Sequence, residues 1–166
     1  TLRIPQISDQ QFFINLYGDS DVMKHIPPKG EPSTEKDAIL RFDTIVAHWG
    51  QYGYGMFVIE LKKVNSPIGY CGLRYLEEID KIELGYIIDK PYWGIGVASE
   101  AAMRCVQFAK ESLKTDRIIS VTNPGNFGSQ KILTKIGFKR SENMDGIYHG
   151  MPHHFFVLEL NEDAVD

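Results

Sequence analysis

The order of the predicted elements indicates a mixed α/β fold, in which helices pack on a central sheet. Three β-rich runs, at 54–63, 67–77 and 81–89, are separated only by Asn65-Ser66-Pro67 and by Glu78-Ile79-Asp80. Connections this short join antiparallel strands, so the three runs predict a meander. Helical patterns precede the meander, and a helix, a strand, a second helix and a last strand follow it.

The chain before the meander predicts one edge strand and several helices. Residues 1–7 predict a short strand that ends at or just after Pro5, because proline has no N–H to donate to a neighbouring strand. Residues 8–26 predict one or two short helices, with Ser8 or Asp9 as the N-cap and a break at Gly18. A capping-box pattern that begins at Thr34 predicts a one-sided helix as far as about Trp49.

The third run of the meander alternates regularly. One face carries Ile82, Leu84, Tyr86 and Ile88, and the other carries Glu83, Gly85 and Ile87. After Pro91, apolar residues at 98, 101, 102, 105, 106 and 109 form the stripe of a helix. Residues 117–122 then predict a strand, residues 126–138 a helix that ends at Gly137, and residues 153–160 a final strand.

Composition limits the classes of function. The 166 residues, 43% of them hydrophobic, suit a single domain over 1–166 with its own core. The net charge of −4 gives no general attraction for nucleic acid or anionic membrane. Cys71 and Cys105 lie in apolar runs and predict buried thiols in a reducing compartment. With no membrane-spanning or signal pattern, we expect a soluble cytoplasmic protein.

A glycine loop precedes the first long helix after the meander. Its residues Gly94-Ile95-Gly96-Val97-Ala98-Ser99 are one glycine short of a dinucleotide-binding fingerprint. That fingerprint also needs an acid at the end of the next strand, and Thr122-Asn123 stands there instead. Two interpretations stay open from the residues alone. The glycines serve only a tight turn, or the loop binds a pyrophosphate at the N-terminus of a helix.

Two linked segments, 82–102 and 123–138, together resemble the GNAT superfamily of N-acetyltransferases. The resemblance is closest to the branch of bacterial acetyltransferases that modify the N-terminal alanine or serine of ribosomal proteins. The family loop has the form Q/R-x-x-G-x-G/A, and Trp93-x-x-Gly96-x-Ala98 fits it with tryptophan in the first place. The second segment matches as Asn126-x-x-Ser129 followed by a Gly-Phe ending. The resemblance implies a mixed, mostly antiparallel sheet of about six to seven strands with helices on both faces.

The resemblance also implies acetyl-coenzyme A (acetyl-CoA) as the donor. Its pyrophosphate is expected on the N–H groups of residues 95–99, and its pantetheine arm beside Ile87 and Ile88. Asn126 is expected to hydrogen-bond that arm from the other side. Lys131 is expected either at the 3′-phosphate or as a solvated surface lysine. The full set of expected coenzyme-binding residues is Ile87, Ile88, Trp93, Gly94, Ile95, Gly96, Val97, Ala98, Ser99, Asn126, Ser129 and Lys131.

Acetyl transfer needs a neutral amine, so a general base helps. An α-amine is about one-tenth deprotonated at pH 7, and a lysine side chain far less. Glu83 is the expected base, directly or through water, and the N–H of Ile88 or its neighbour is the expected oxyanion donor. Many family members carry a tyrosine acid where this chain has Leu133. Ser129 is then either the acid for the leaving thiolate or a small residue that permits close packing.

The acceptor side is less defined. His153 and His154 are neighbours on a strand, so they point to opposite faces and are not expected to share a metal site. Either one of them reaches the acceptor site or, as we expect, both are edge or surface histidines, and we expect no metal site. Five aromatic residues either line an acceptor pocket or pack elsewhere: Trp49, Tyr52, Tyr54, Tyr75 and Tyr148. The expected function is acetyl transfer to a protein N-terminal α-amine or a small-molecule amine. The alternative is an acyl-CoA-binding module without turnover. A monomer and a homodimer both remain open.

Overall fold

The central feature of the computed structural model, which describes residues 1–63 and 65–160, is a sheet. In these two ranges eight strands pair in the order β1-β2-β3-β4-β5-β8-β6, with β7 on β8. Only β4 and β5 are parallel neighbours within that order. The strands are Leu2–Arg3 (β1), Met56–Leu61 (β2), Ser66–Leu76 (β3), Lys81–Ile88 (β4), Arg117–Thr122 (β5), Lys139–Arg140 (β6), Gly146–Tyr148 (β7) and Met151–Glu159 (β8).

The mixed, mostly antiparallel sheet is the one that the sequence predicts. The expected count of six to seven strands is low, because the two residues of β6 and the three of β7 are too few to carry an alternating pattern. The meander β2-β3-β4 and the later strands β5 and β8 are confirmed.

In the part of the chain that the structure describes, five α-helices cover the two faces of the sheet. They are Gln10–Gly18 (α1), Ser20–Met23 (α2), Glu35–Tyr52 (α3), Val97–Phe108 (α4) and Phe127–Lys135 (α5). One core packs α4 and α5 against Leu84 and Ile88 of β4. The other packs α1 to α3 against the opposite face, which includes Ile87. Two predictions are therefore confirmed: the side chains of β4 alternate between the two faces of the sheet, and helices cover both faces.

The N-terminal ends of the helices match the sequence in part. Thr34 caps α3 by accepting a hydrogen bond from Asp37 N, as the capping box predicts. Asp9 stands before α1 but does not cap that helix with its side chain. Its buried carboxylate accepts a hydrogen bond of 2.7 Å from Gln6 N and two of 2.7 Å from Arg3. Asp9 therefore links the end of β1 to the start of the first helix.

The sheet opens between its two central parallel strands. Within the described chain, β4 and β5 share one paired position, Glu83 with Ile119. Just beyond it the Ser120 hydroxyl donates to the carbonyl of Leu84 at 2.9 Å. From there to the end of β4 the strands separate and leave a gap, which the functional site occupies.

Two further expectations concern thiols and membranes. Cys71 of β3 and Cys105 of α4 are both buried free thiols, with their sulfur atoms 3.7 Å apart. None of the helices in the described ranges is long and apolar enough to span a membrane.

Candidate active site

Two cavities meet at the gap between β4 and β5. We call the first, of about 420 Å³, the histidine cavity, because His25, His149 and His153 line it. The second, of about 720 Å³, is the glycine-loop cavity, lined by Gly94, Gly96 and the start of α4. Six residues line both cavities: His25, Ile26, Tyr86, Ile87, Asn126 and Ser129. A molecule in one cavity therefore reaches a molecule in the other at this shared wall.

The glycine loop presents free backbone donors to its cavity. Gly96 precedes α4 with φ +87° and gives that helix no side-chain cap. The first backbone hydrogen bond at this end of α4 runs from Glu100 N to Gly96 O, so the N–H groups of Val97, Ala98 and Ser99 have no partner within the helix. A Cβ atom on Gly94 or Gly96 would meet no protein atom within 4 Å. The space in front of these donors is open, as an anion site at a helix N-terminus requires.

The end of β4 turns its backbone toward the gap. Asp89 N donates to Ile68 O at 2.9 Å, so Ile88 and its partner Gly69 form a non-hydrogen-bonded pair of the β3–β4 ladder. The N–H of Ile88 therefore points away from β3, and the same holds two residues earlier, at Tyr86. The indole Nε1–H of Trp93 donates a hydrogen bond to the carbonyl oxygen of Ile88 at 2.7 Å.

These two backbone amides lie at different places in the site. Ile88 lines only the glycine-loop cavity, whereas Tyr86 lines both. The oxyanion donor was expected at the N–H of Ile88 or of a neighbour, and Ile88 itself lies beside the expected path of the coenzyme arm and outside the lining of the histidine cavity. The N–H of Tyr86 faces the gap at that meeting place.

A hydroxyl pair stands where the cavities meet. The phenol oxygen of Tyr86 lies 2.9 Å from Oγ of Ser129 on α5. Burial raises the pKa of Tyr86, so the phenol keeps its proton at physiological pH. Asn126 caps α5 through its Oδ1, which accepts from Ser129 N at 3.1 Å. Leu133, the position at which the family resemblance implies a tyrosine in many members, is fully buried, and Tyr86 brings a phenol to this site from β4 instead.

Two expected coenzyme contacts are not brought to the cavity. Lys131 is exposed and does not line it, whereas Lys135, one turn later on α5, does. Residues 127, 128, 129, 132 and 135 of α5 line the cavity, and position 131 is not among them. Ile95, expected to contribute its backbone N–H, is 62% exposed and also lies outside the lining, while its neighbours in the loop form the wall.

Glu83 is buried at the histidine cavity. Its side chain is 3% exposed and forms an ion pair with Nε of Arg74, which faces it across the β3–β4 ladder. The charge of Glu83 raises the pKa of Arg74 further above its ordinary value. Arg74 also donates to the Tyr148 hydroxyl at 3.3 Å. Among the described residues that line this cavity, Glu83 is the one carboxylate.

The expectation of surface histidines is wrong for His153. That residue is 3% exposed, lines the histidine cavity and has its Nδ1 2.8 Å from the carbonyl of Met151. His154 does point to the other face, with its Nε2 4.0 Å from a carboxylate oxygen of Asp145. Burial lowers the pKa of His25 on the shared wall, which favours its neutral form. Within the described chain, no group of three or more histidine, cysteine or acidic residues is arranged to hold a metal ion.

Most of the candidate aromatic residues lie elsewhere. Tyr148 lines the histidine cavity, but Trp49, Tyr52, Tyr54 and Tyr75 do not. Three of these tyrosines surround His48 of α3. That imidazole accepts from Tyr75 N at 2.9 Å and faces Tyr54 O at 2.8 Å. These rings join α3 to β3 and belong to the packing of the fold.

Sequence reasoning missed Arg41, Arg74 and Tyr86 as residues of the site. Arg74 had a detectable signal, because a tight β3–β4 hairpin sets it opposite Glu83. Tyr86 was placed on the face of β4 that packs in the core, and only the gap beside β5 gives its hydroxyl a polar partner. Arg41 comes from α3, and nothing near it in the chain points to this cavity.

Comparisons with known proteins agree with this arrangement. The family model for the acetyltransferase (GNAT) domain matches residues 1–139. An uncharacterised N-acetyltransferase, p20 of Bacillus licheniformis, is 29% identical over 143 residues, which cover 84% of this chain and 79% of that protein. Ribosomal-protein-S5-alanine acetyltransferase from Vibrio fischeri has a TM-score of 0.77 at 18% identity, covering 97% of this chain and 93% of that one. Spermidine N-acetyltransferase from Vibrio cholerae, solved with CoA and spermine, has a TM-score of 0.76 at 19% identity, covering 96% and 95%.

Proposed function

Because the chain belongs to the GNAT acetyltransferase family and is an acetyl-CoA-dependent N-acetyltransferase, we propose that it transfers the acetyl group directly to a primary amine in the histidine cavity. The acceptor is a protein N-terminal α-amine or the amine of a small molecule. The observation that carries this proposal is the shared wall at Tyr86 and Ser129, where the two cavities meet. Both reactants can be bound at once there, so no acetylated protein side chain is needed as an intermediate.

The glycine-loop cavity fits the donor. The unpartnered N–H groups at the start of α4 bind the pyrophosphate, and the helix dipole adds to that attraction. Lys135 is the cation beside the phosphates, the role that one of the two interpretations gave to Lys131. The N–H of Ile88 and the amide nitrogen of Asn126 remain for the peptide-like arm, because Trp93 and Ser129 already occupy their oxygen atoms.

Acetyl-CoA supplies a thioester whose carbonyl carbon the neutral amine attacks. The N–H of Tyr86 is the donor for the negative charge that develops on the carbonyl oxygen, because it faces the gap where the cavities meet. The N–H of Ile88, two residues farther along β4, holds the arm.

Glu83 accepts a proton from the amine through water. It precedes Tyr86 by three residues, a distance of about 10 Å along a strand, so water bridges the two positions. Arg74 compensates the charge of the buried carboxylate and fixes its orientation. A carboxylate held in this way is oriented by its partner and lines the cavity, as a base requires.

The pair of Tyr86 and Ser129 receives the leaving thiolate. Because Tyr86 retains its proton, the pair offers a hydrogen bond to sulfur as the C–S bond breaks. A thiol of pKa near 8.5 leaves readily, so a hydrogen bond suffices. The proton that completes the free thiol comes from the amine nitrogen through the water at Glu83. The products are the acetylated amine and coenzyme A. A reducing compartment such as the cytoplasm suits the two free thiols.

The test is release of free thiol from acetyl-CoA over a panel of small amines and N-terminal peptides. We expect turnover with at least one acceptor, and stabilisation against heat by acetyl-CoA of a few kcal/mol at saturation. Stabilisation without turnover on any acceptor would favour a binding module used for sensing or assembly. If acetyl-CoA neither stabilises the protein nor is consumed with any acceptor, the proposed coenzyme site is contradicted.

A further inference from the structure

The charges that face the histidine cavity do not suit a polycationic acceptor. Its one carboxylate among the described lining residues, Glu83, is already paired with Arg74. The other charged group of the lining is Arg41. Glu83, Arg74 and Arg41 together give the wall a net charge of +1. A polyamine would have to bring further positive charge into this space with no free carboxylate to receive it.

Arg41 is held in place with donors to spare. It projects from α3, and one Nη2–H donates to the carbonyl of Pro27 at 2.7 Å. Its guanidinium lies 5.4 Å from the centre of the Tyr17 ring. No carboxylate of the described residues forms a salt bridge with it. A guanidinium has five N–H donors, so the contact with Pro27 leaves most of them for a ligand.

The size of the cavity points to a small acceptor. A volume of about 420 Å³ lies at the lower end of the range for small-molecule sites. Among its polar groups, the wall also carries four apolar or aromatic residues, Ile26, Met56, Tyr70 and Tyr148. Such a wall accepts a short hydrocarbon or aromatic body, while the positive head group of Arg41 binds an anion.

We propose that the acceptor is a small amino acid, a molecule with a primary amine and a carboxylate, and that Arg41 binds the carboxylate. This proposal rests on the proposed function, since it names the acceptor of that same site. Arg41 is then a specificity-determining residue that contacts the acceptor at a part of the molecule that does not react. The amine lies toward Tyr86 and Glu83, and the carboxylate lies toward α3.

The experiment compares acids with their amides. Thiol release is measured for leucine, methionine, phenylalanine, β-alanine and 4-aminobutyrate, each beside its carboxamide, and for spermidine and N-terminal peptides. A carboxylate raises the pKa of its own amine, so the raw ratio of kcat/KM understates the preference. We therefore divide the acid-to-amide ratio of kcat/KM in the wild type by the same ratio in Arg41→Gln. The pKa effect is common to both proteins and cancels in this quotient. We expect this quotient to be about tenfold or more, because a charge-assisted pair is lost.

Two controls keep the result decisive. Arg104→Gln removes an exposed arginine from α4 and should leave the ratio unchanged. In the wild type, 3-phenylpropanoate should compete with the acceptor and its amide should not, a test that needs no variant. The proposal would be overturned if Arg41→Gln lowered kcat/KM equally for acids and for their amides. A preference of the wild type for spermidine or peptides would overturn it as well. Absence of thiol release with every acceptor would instead count against the proposed function.

Discussion

The glycine-loop cavity and the histidine cavity differ in what forms their walls. The first is lined largely by β4, the loop after it, α4 and α5, and its key groups are backbone N–H donors. The second is lined by side chains from segments that are far apart in the chain, from His25 to His153. One cavity therefore depends on the path of the backbone, and the other depends on the identity of individual side chains.

This difference suits the two reactants. A donor that stays the same is well recognised by backbone amides, because substitutions of most side chains leave these groups in place. An acceptor that differs between relatives, such as a ribosomal protein or spermine in the names of two of them, is recognised by side chains that change one at a time. Substitutions should accordingly separate the two cavities kinetically.

The largest effect is expected in the histidine cavity, from Glu83→Gln. Loss of a general base should lower kcat at pH 7 by about 10² to 10⁴, with KM for acetyl-CoA unchanged. The deficit should shrink as the pH approaches the pKa of the acceptor amine, because a neutral amine needs no base. A kinetic pH profile between pH 6 and 9.5 measures both features.

Arg74→Gln is the matched control for Glu83→Gln, because it breaks the same ion pair and keeps the buried carboxylate. Both variants should unfold at lower temperature than the wild type. If Arg74→Gln loses as much kcat as Glu83→Gln, with the same pH profile, Glu83 acts only through the ion pair.

The next effect is expected in the glycine-loop cavity, from Gly96→Ala. The residue has φ +87°, which costs about 1–2 kcal/mol for an L-residue, and its Cβ would enter the open space before α4. We expect KM for acetyl-CoA to rise about 10- to 100-fold, with a smaller change in kcat at saturation. Gly18→Ala, at the end of α1 with no atom near its Cβ, is the control. Unchanged affinity for acetyl-CoA in Gly96→Ala would contradict a phosphate site here.

A smaller effect is expected where the cavities meet, from Tyr86→Phe. This variant removes the hydroxyl that contacts Ser129 and leaves the backbone N–H of residue 86. Loss of one hydrogen bond, about 1 kcal/mol, should lower kcat roughly fivefold with little change in either KM. Tyr52→Phe, outside both cavities, should leave kcat unchanged. A rise in KM for acetyl-CoA without loss of kcat would assign the phenol to packing.

The smallest effect is expected outside both cavities, at His48. Burial lowers its pKa below the ordinary value of 6.5, and its Nε2 accepts from Tyr75 N, beside Arg74 in β3. The unfolded state thus binds more protons than the folded state below about pH 6.5, so the contribution of His48 to stability is complete above that pH and is lost as the pH falls.

Thermal unfolding of His48→Gln at pH 8 and pH 5 measures this contribution. The difference in Tm between the wild type and His48→Gln should be larger at pH 8 than at pH 5. Groups common to both proteins cancel in that difference. An equal difference at both pH values would show that protonation of His48 is not linked to folding.

The features that the sequence predicted are those that depend on neighbouring residues, and the features that it missed depend on distant ones. The meander, the alternation of β4 and the capped helix from Thr34 could be predicted, because each depends on residues close together in the chain. The strands β6 and β7 could not, because their pairing with β8 is set by the packing around them. The burial of His153 was missed because strand periodicity gives the face of a side chain and not what covers that face.

The sequence by itself determined the family, the glycine loop and the position of Glu83 on β4. These features follow from local backbone geometry, which glycines, capping residues and alternating side chains control directly. Only the tertiary structure decided that Tyr86, two residues before Ile88, stands where the cavities meet, that Lys135 and not Lys131 lines the glycine-loop cavity, and that Arg41 lines the histidine cavity. Those outcomes depend on the width of the gap between β4 and β5 and on the rotation of whole helices against the sheet. Such quantities arise from the sum of many packing contacts, so no short segment of the chain encodes them.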